Sequence, residues 1–413
     1  MYLLEAGQKY GDLVLLGQGK FSAYFVNHPE AIQHVLQDNH KNYTKNTIQY
    51  NQLRKITGNG LLTNDGDTWL KHRRVLQPAF TRQRLMALIP LVNELMPPLV
   101  DRWKKAADTG ELINIDQEMM ELALEIVSRS MFGMGIAGET KKLTGAVITA
   151  LDHLIDRVRN PMQLPDPFPT RANLLNRSAM QTLDEACYRI IRSAEGAQLS
   201  DDNLLAMLLH AHQDPALDFG EAQTRDEVIT ILIAGHETVA SALTWTWYLL
   251  SQNPAYFEKA AFEIQSVLGN RPPEEADYEK LILTGQIFDE ALRLYPPAWV
   301  ISRRSIDSDS VMGVEIPANA LVIMSPYVVH RHSEFWEDPE TFLPERFSPE
   351  TEKKHPRYAY IPFGGGPRLC IGYQFALIEA RIILAHLLSQ FRVKLPADAQ
   401  VQVDPLVTLR PRH

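Results

Sequence analysis

Residues 363–372 read FGGGPRLCIG. One cysteine, Cys370, sits in a nest of glycines just ahead of an apolar, helix-like run, and the chain has only one other, Cys187. A helix start carries partial positive charge and unpaired N–H groups, which stabilise a thiolate. Gly364, Gly365, Gly366 and Gly372 let backbone approach a flat ligand and let N–H groups point at sulfur. A lone cysteine excludes Cys-rich zinc sites and iron–sulfur clusters, and it suits a thiolate axial to haem iron. The competing reading is a buried, inert thiol, and Cys187, within DEACYRII, is read that way.

The rest of the chain sets bounds. It has 413 residues, 45% apolar and 22% charged, which is ordinary globular composition with ample length for a large core. No Gly/Ser tract, charge block or internal repeat marks a linker, so residues 1–413 are expected to form a single domain. A net charge of −9 sets aside a general nucleic-acid binder, although KHRR at 71–74 is a local basic patch. Two cysteines make no disulfide framework, so a reducing cytoplasm is expected. The opening MYLLEAGQKYGDLVLLGQGK has neither a basic n-region nor a long apolar run, so no signal peptide or membrane anchor is expected.

Hydrophobic periodicity predicts a mainly helical chain with minor sheet. Residues 10–27 read as two strands around a glycine turn, and HPEAIQHVLQ opens a helix with Pro29 at its first position. Residues 41–65 are polar and glycine-dotted and read as a long connection. DTWLKHRRVLQPAF is helical up to Pro78, and the helical pattern appears twice more between 84 and 135. The Pro-rich 159–175 reads as a loop able to act as a lid, followed by a helix to about 195 and an N-capped one in SDDNLLAMLLHAH. Residues 223–252 are apolar all round and predict a long helix buried through the centre of the fold. Helices are expected at 274–294 and 370–391, short strands at 300–328 and a strand in LVTLRP.

Three further stretches carry chemistry. In AGHETVA, Gly235 costs about 1 kcal/mol in a helix interior, so a local reason is expected. The Thr238 hydroxyl can turn onto the Ala234 carbonyl and loosen the helix, opening a groove for a small ligand and water, while Glu237 could pass protons. A zinc-protease motif fails because position 240 is alanine. In EALR, Glu290 and Arg293 lie on one helical face. In WLKHR, Trp69 and Arg73 lie one turn apart and suit carboxylates, with His72 read as exposed. His330, His332 and His355 match no metal-ligand spacing.

FGGGPRLCIG matches F-x-x-G-x-R-x-C-x-G, and with the other three stretches the chain resembles the cytochrome P-450 superfamily over nearly its whole length. The resemblance implies that family's fold, a long central helix over a buried haem with a small sheet region near the N-terminus. It implies Cys370 as the ligand to the iron of haem b, with Phe363, Gly364, Gly372, Ala234 and Gly235 about the cofactor. Trp69, Arg73, Arg303 and Arg368 would hold propionates, and arginine suits forked recognition of a carboxylate. Glu237 and Thr238 would deliver the protons consumed when O2 is split. Val239 departs from the Thr or Ser often found there. Glu290 and Arg293 would meet Arg346, of PERF, in a buried network bracing the cysteine loop. The opening resembles the interior of the family's first helix, which implies a start shorter than usual.

IQYNQLRKITGNGLLT (48–63), AGHETVASALTW (234–245) and EALRLYPPAWVISRR (290–304) also resemble bacterial carotenoid-ring hydroxylases of thermophilic type. That implies a long apolar substrate, a carotenoid or related terpenoid first and a fatty acid next, with Ile231, Ala298, Trp299 and Val300 lining its pocket. No flavin, nicotinamide or iron–sulfur fingerprint occurs, so no fused reductase is expected. Electrons are expected from a ferredoxin or flavodoxin with its NAD(P)H reductase, docking near Lys71, Arg74 and Arg357. The rivals are a peroxide-driven hydroxylase of the same fold, which would tend to lack the Glu237–Thr238 pair, and a haem sensor or carrier without turnover.

Overall fold

Thirty-two residues, Glu221–Gln252, form one uninterrupted helix. Apolar side chains occur on all its sides, so no face suits water and the helix has to be interior. It is long and apolar enough to cross a membrane by composition, yet most of that stretch is buried inside the protein. The computed structural model describes residues 2–19, 22–136, 138–160, 162–193, 203–214, 217 and 219–412. Parts of four expected elements lie outside the described residues: 20–21 of the first strand pair, 161 of the lid, 194–195 of the helix after it, and 200–202 of the SDDNLL segment.

The described chain gathers into two compact units, one made of Met1–Gln49, Ala242–Tyr373 and Ala380–His413, the other of Tyr50–Ser241 and Gln374–Glu379. The first holds the sheets. Strands β1 (Leu13–Leu16), β2 (Ala23–Val26), β3 (Tyr43–Thr44), β4 (Ile301–Ser305), β5 (Asp309–Val311), β6 (Val314–Ile316), β7 (Leu321–Met324), β8 (Gln402–Pro405) and β9 (Leu409–Arg412) are short. Five of them form one sheet in the order β1-β2-β7-β4-β3, and β5-β6 and β8-β9 are separate hairpins. Among the described strands only β2 and β7 run parallel, with Ala23 opposite Leu321, while β4 pairs β7 with Ile301 opposite Met324. Strand alternation sorts the side chains to two faces. Val26, Val322 and Met324 join a core with Ile32, Leu36, Tyr358 and Ile361, whereas Phe25 and Ile323 face Val14, Tyr327 and Leu409.

The second unit is helical. Gly66–Leu76, Leu88–Thr109, Ile115–Phe132, Thr140–Arg159, Arg171–Ser193 and Leu204–Gln213 account for most of it. Their ends follow local chemistry: Gly110 and Gly133 close two helices in the left-handed region, and the Asn114 and Asn203 side chains cap two starts. The expected connection over 41–65 is corrected, because Ile48–Thr57 is a helix. Its buried residues, Tyr50, Leu53, Ile56 and Thr57, recur at helical spacing, but the polar residues between them hide the stripe. Helices Thr140–Arg159 and Pro254–Leu268 go beyond the expected set.

Candidate active site

In the first unit, helix Ile282–Leu294 carries Glu290 and Arg293, both wholly buried. Arg293 makes a two-pronged contact, Nε to Glu290 Oε2 at 2.6 Å and Nη2 to Oε1 at 2.8 Å. The rest of its guanidinium donates to the carbonyls of His330, Pro339 and Thr341. Arg346 brings its Nε to within 3.5 Å of Glu290 Oε1, and the Leu343 N–H donates to the same oxygen. The structure thus brings Glu290, Arg293 and Arg346 together, each partner offsetting the cost of burying the others' charge.

His330 extends this network and has no counterpart in the sequence-based expectations. The Ile361 N–H donates to its Nε2 at 2.8 Å, so the ring proton sits on Nδ1, which donates to the Arg293 carbonyl at 3.1 Å. Burial holds its pKa well below the usual histidine value, with hydrogen bonding to the Arg293 carbonyl opposing that shift. A neutral imidazole therefore ties the arginine network to the strand of chain leading into the cysteine loop. His332 and His355 go elsewhere, to Asp12 and to the Phe335 carbonyl.

The loop itself is shaped by its glycines. Gly364 and Gly366 have φ of +74° and +62°, where other residues are strained. A Cβ on Gly365 would lie 2.5 Å from the Tyr358 ring, and one on Gly366 would lie 1.9 Å from the Leu36 carbonyl oxygen. The Cys370 N–H donates to the Phe363 carbonyl at 3.0 Å, closing the loop. The final helix is Tyr373–Leu388 with Gly372 at its cap, so Cys370 precedes the helix rather than opening it, a correction to the expected start at 370. Its side chain is exposed. Cys187 is the opposite: buried, with its thiol pushed up to about 12 by desolvation.

Arg303 on β4 is buried, and Arg368 is half-buried on the cysteine loop. Ala298 is exposed, and Val300 and Phe363 are half-buried. Trp299 is half-buried as well. Its indole N–H donates to the Leu406 carbonyl at 2.9 Å and its ring packs on the cluster of Val14, Phe25 and Tyr327, the amphipathic ring finding both an acceptor and apolar company.

In the second unit the long helix is buried almost throughout its middle. Among residues 227–247, only Ala234, Gly235 and Thr238 keep partial exposure, and they share one face. Ile231 and Glu237 are buried. The Thr238 hydroxyl donates to the Ala234 carbonyl at 2.8 Å. Gly235 has a packing reason as well, since a Cβ there would lie 2.7 Å from Val127 Cγ2 on helix Ile115–Phe132.

Helix Gly66–Leu76 carries half-buried Trp69 and Arg73. The expectation that His72 is exposed is corrected: it is buried, 2.7 Å from Glu227 Oε1, with Phe219 against its ring. Glu227 also accepts the Leu61 N–H at 2.9 Å, and Asp226 accepts the Asn59 N–H at 2.7 Å. The turn at 58–61 lies directly on the long helix. A Cβ on Gly58 would lie 2.1 Å from the Asp226 carboxyl, and one on Gly60 would lie 2.1 Å from Thr230 Oγ1. A cleft of about 430 Å³ lies beside helix Ile48–Thr57, lined by Gln52, Ile56, Ala150, Leu154 and Asp166 among others. Asp166, on the expected lid, accepts from Arg157 at 2.6 Å and His153 at 3.1 Å. Lys71, Arg74 and Arg357 are exposed.

Residues 1–412 match the family model described as Cytochrome P450. The chain is 34% identical to pentalenene oxygenase of Streptomyces avermitilis, over 99% of this chain and 90% of that one. It is 32% identical to cyclooctatin synthase of Streptomyces melanosporofaciens (97% and 87%) and 33% identical to the chloroplastic protein LUTEIN DEFICIENT 5 of Arabidopsis thaliana (96% and 70%). Among solved structures, the cytochrome P450DA heme domain superposes with a TM-score of 0.88 at 26% identity, covering 99% of this chain and 90% of that one. The chain belongs to the cytochrome P450 family. It is a P450 monooxygenase, and the family implies a haem-thiolate centre that uses O2.

The residues present fit a haem. The first unit offers an exposed thiol beside glycines too tightly placed to carry side chains, together with the cations Arg303 and Arg368. The second offers an uncovered face of small residues on an otherwise buried helix.

Proposed function

We propose that this monooxygenase hydroxylates an apolar terpenoid, a carotenoid first among them, in the cytoplasm as a single-domain enzyme served by separate redox partners. The observation that carries the catalytic part is the exposed Cys370 thiol on a glycine loop tied to the buried Glu290–Arg293–Arg346 network. Cys370 would ligate haem b, and Phe363, Gly364, Gly372, Ala234 and Gly235 would border it. Arg303, Arg368, Trp69 and Arg73 would take its propionates. When bound, a thiolate-ligated haem supplies the chemistry that splits O2 and oxidises an unactivated C–H bond.

The chain's own contribution is to handle protons and exclude water. Thr238 uses its hydroxyl proton on the Ala234 carbonyl, which leaves its oxygen lone pairs able to accept a hydrogen bond from a donor at the uncovered face. Glu237, buried one residue away, is a carboxyl able to exchange protons with that face. Ile231, Ala298 and Val300 supply apolar contacts for substrate.

The names of the relatives support the substrate class: one is an oxygenase of pentalenene, one a synthase of cyclooctatin, and one is named for lutein. Electrons would come from a ferredoxin or flavodoxin with its NAD(P)H reductase, with Lys71, Arg74 and Arg357 as basic contacts. Two experiments test the reading. The reduced protein should show the thiolate-type absorption band with carbon monoxide, and Cys370→Ser should abolish it. Carotenoids and smaller terpenoids should then give a substrate-induced spin shift and a hydroxylated product. A shift with fatty acids alone would overturn the terpenoid assignment.

A further inference from the structure

We infer that the Tyr358 hydroxyl, held by Gln37 of the π turn His34–Asp38, is the positioning group that sets the loop presenting Cys370. This rests on the haem-thiolate reading above. The Gly366 N–H donates to Tyr358 Oη at 3.0 Å, and Tyr358 Oη donates to Gln37 Oε1 at 2.8 Å. A phenol has one proton, so the two bonds fix the direction of the chain: loop amide to phenol to glutamine oxygen.

The packing leaves this relay no slack. The Tyr358 ring lies where a side chain on Gly365 would be, and the Leu36 carbonyl lies where one on Gly366 would be. The loop therefore rests on the tyrosine and on the π turn at the same time. Tyr358 is buried in the cluster with Val35, Leu36 and Ile361, so its ring is fixed independently of its hydroxyl. The π turn, His34–Asp38, widens the helix that follows Pro29–Gln33. Asp309 Oδ2 pins this region, accepting from His34 Nε2 at 2.8 Å, Asn39 Nδ2 at 3.0 Å and Tyr43 Oη at 2.7 Å. Gly366 is in turn bonded toward the ligand: its carbonyl accepts the Leu369 N–H at 3.1 Å, next to Cys370. On the other flank His330 holds Ile361. Removing the phenol oxygen thus frees one flank of the loop and leaves the other anchored.

Tyr358 acts through the Gly366 amide it holds, so its effect is read through the loop. The variants are Tyr358→Phe, Gln37→Leu and the pair, made in the full-length holoenzyme. Two quantities are measured: amide hydrogen exchange of Gly366, which needs no haem chemistry, and the haem reduction potential. Tyr358→Phe is expected to bind haem, to raise Gly366 exchange roughly fivefold, the worth of one ordinary hydrogen bond, and to shift the potential. Gln37→Leu should change both in the same direction and to a smaller extent, and the double variant should be no worse than Tyr358→Phe, because the two groups act in series. Unchanged exchange, or faster exchange with an unchanged potential, overturns the proposal. So do fully additive effects of the two substitutions. Should Tyr358→Phe fail to fold, Gln37→Leu carries the test alone, with the same two readouts. A wild-type protein without the thiolate-type carbon monoxide band would instead refute the haem-thiolate reading before any variant is made.

Discussion

The Thr238 hydroxyl donates to the Ala234 carbonyl across 2.8 Å, on the one face of the long helix's middle that the described protein leaves uncovered. A threonine bonded this way adds a polar oxygen to a face otherwise made of alanine and glycine. Thr238→Ala is expected to fold normally and to consume NAD(P)H, but to yield several-fold less product per electron pair, the difference appearing as hydrogen peroxide. Thr238→Ser should recover much of the yield. Parallel measurement of cofactor consumption, product and peroxide decides it, and an unchanged yield in the alanine variant would remove Thr238 from proton handling.

Gly235 and Val127 compete for the same space. Gly235→Ala gains about 1 kcal/mol of helix propensity, but its new methyl would lie 2.7 Å from Val127 Cγ2. Overpacking of that kind costs about 1–3 kcal/mol, so a net loss of stability is expected. Val127→Ala in the same protein should restore the gain. The coupling energy from the four unfolding midpoints measures the clash, and strictly additive values would mean the helices simply move apart.

The buried arginine network should respond unevenly. Arg293→Ala removes the two-pronged partner of the buried Glu290 carboxylate, leaves it the longer Arg346 contact and the Leu343 N–H, and takes a donor from three carbonyls. A cost of about 3–5 kcal/mol is expected, with protein that is poorly folded and retains little haem. Arg346→Ala, whose contact to Glu290 is the longer one at 3.5 Å, should lose clearly less. Yield, haem content and thermal midpoint report the order, and equal effects would contradict the geometry.

Stability should fall on both sides of a pH optimum for identifiable reasons. Burial lowers His386 to about 4 and holds His330 well below its usual value. The unfolded chain then binds more protons than the folded one below pH 6.5, so stability drops as pH falls from there. For His386 alone the loss by pH 4 is about 3 kcal/mol. Glu379 works in the opposite sense. It is fully buried, both its oxygens lack a hydrogen-bond partner among the described residues, and desolvation raises its pKa well above the usual carboxyl range. Its neutral form is at no disadvantage below pH 4.5, and stability is lost as pH rises beyond that, because the unfolded chain can ionise. His386→Gln should flatten the acid limb, and Glu379→Gln should raise neutral-pH stability and flatten the other. Urea midpoints across pH test both, and an unaltered profile in either variant would exclude that residue.

Much of this was legible because it is local. The residues within the cysteine loop, within the Thr238–Ala234 turn and within the Glu290–Arg293 pair are each only a few positions apart, and the long helix announces itself by apolar residues on all sides. What was hidden depends on distant partners. Tyr358 meets Gln37 across 321 positions, and His72 meets Glu227 across 155. A histidine between lysine and arginine on an amphipathic helix reads as wet until its carboxylate is seen. Trp299 follows a proline break near expected pocket residues, but the acceptor that claims its indole lies 107 residues later. The helix at Ile48–Thr57 shows the same limit at short range, its buried stripe broken by polar neighbours.

The turn that rests on Asp226, Glu227 and Thr230 carries a lesson for anyone reshaping substrate preference. Gly58 and Gly60 are pivots with no room for a side chain, so randomised libraries that include them will mostly return broken enzymes. Diversity is better spent on Gln52, which is half-buried beside the neighbouring cleft and can change without prising the turn from its seat.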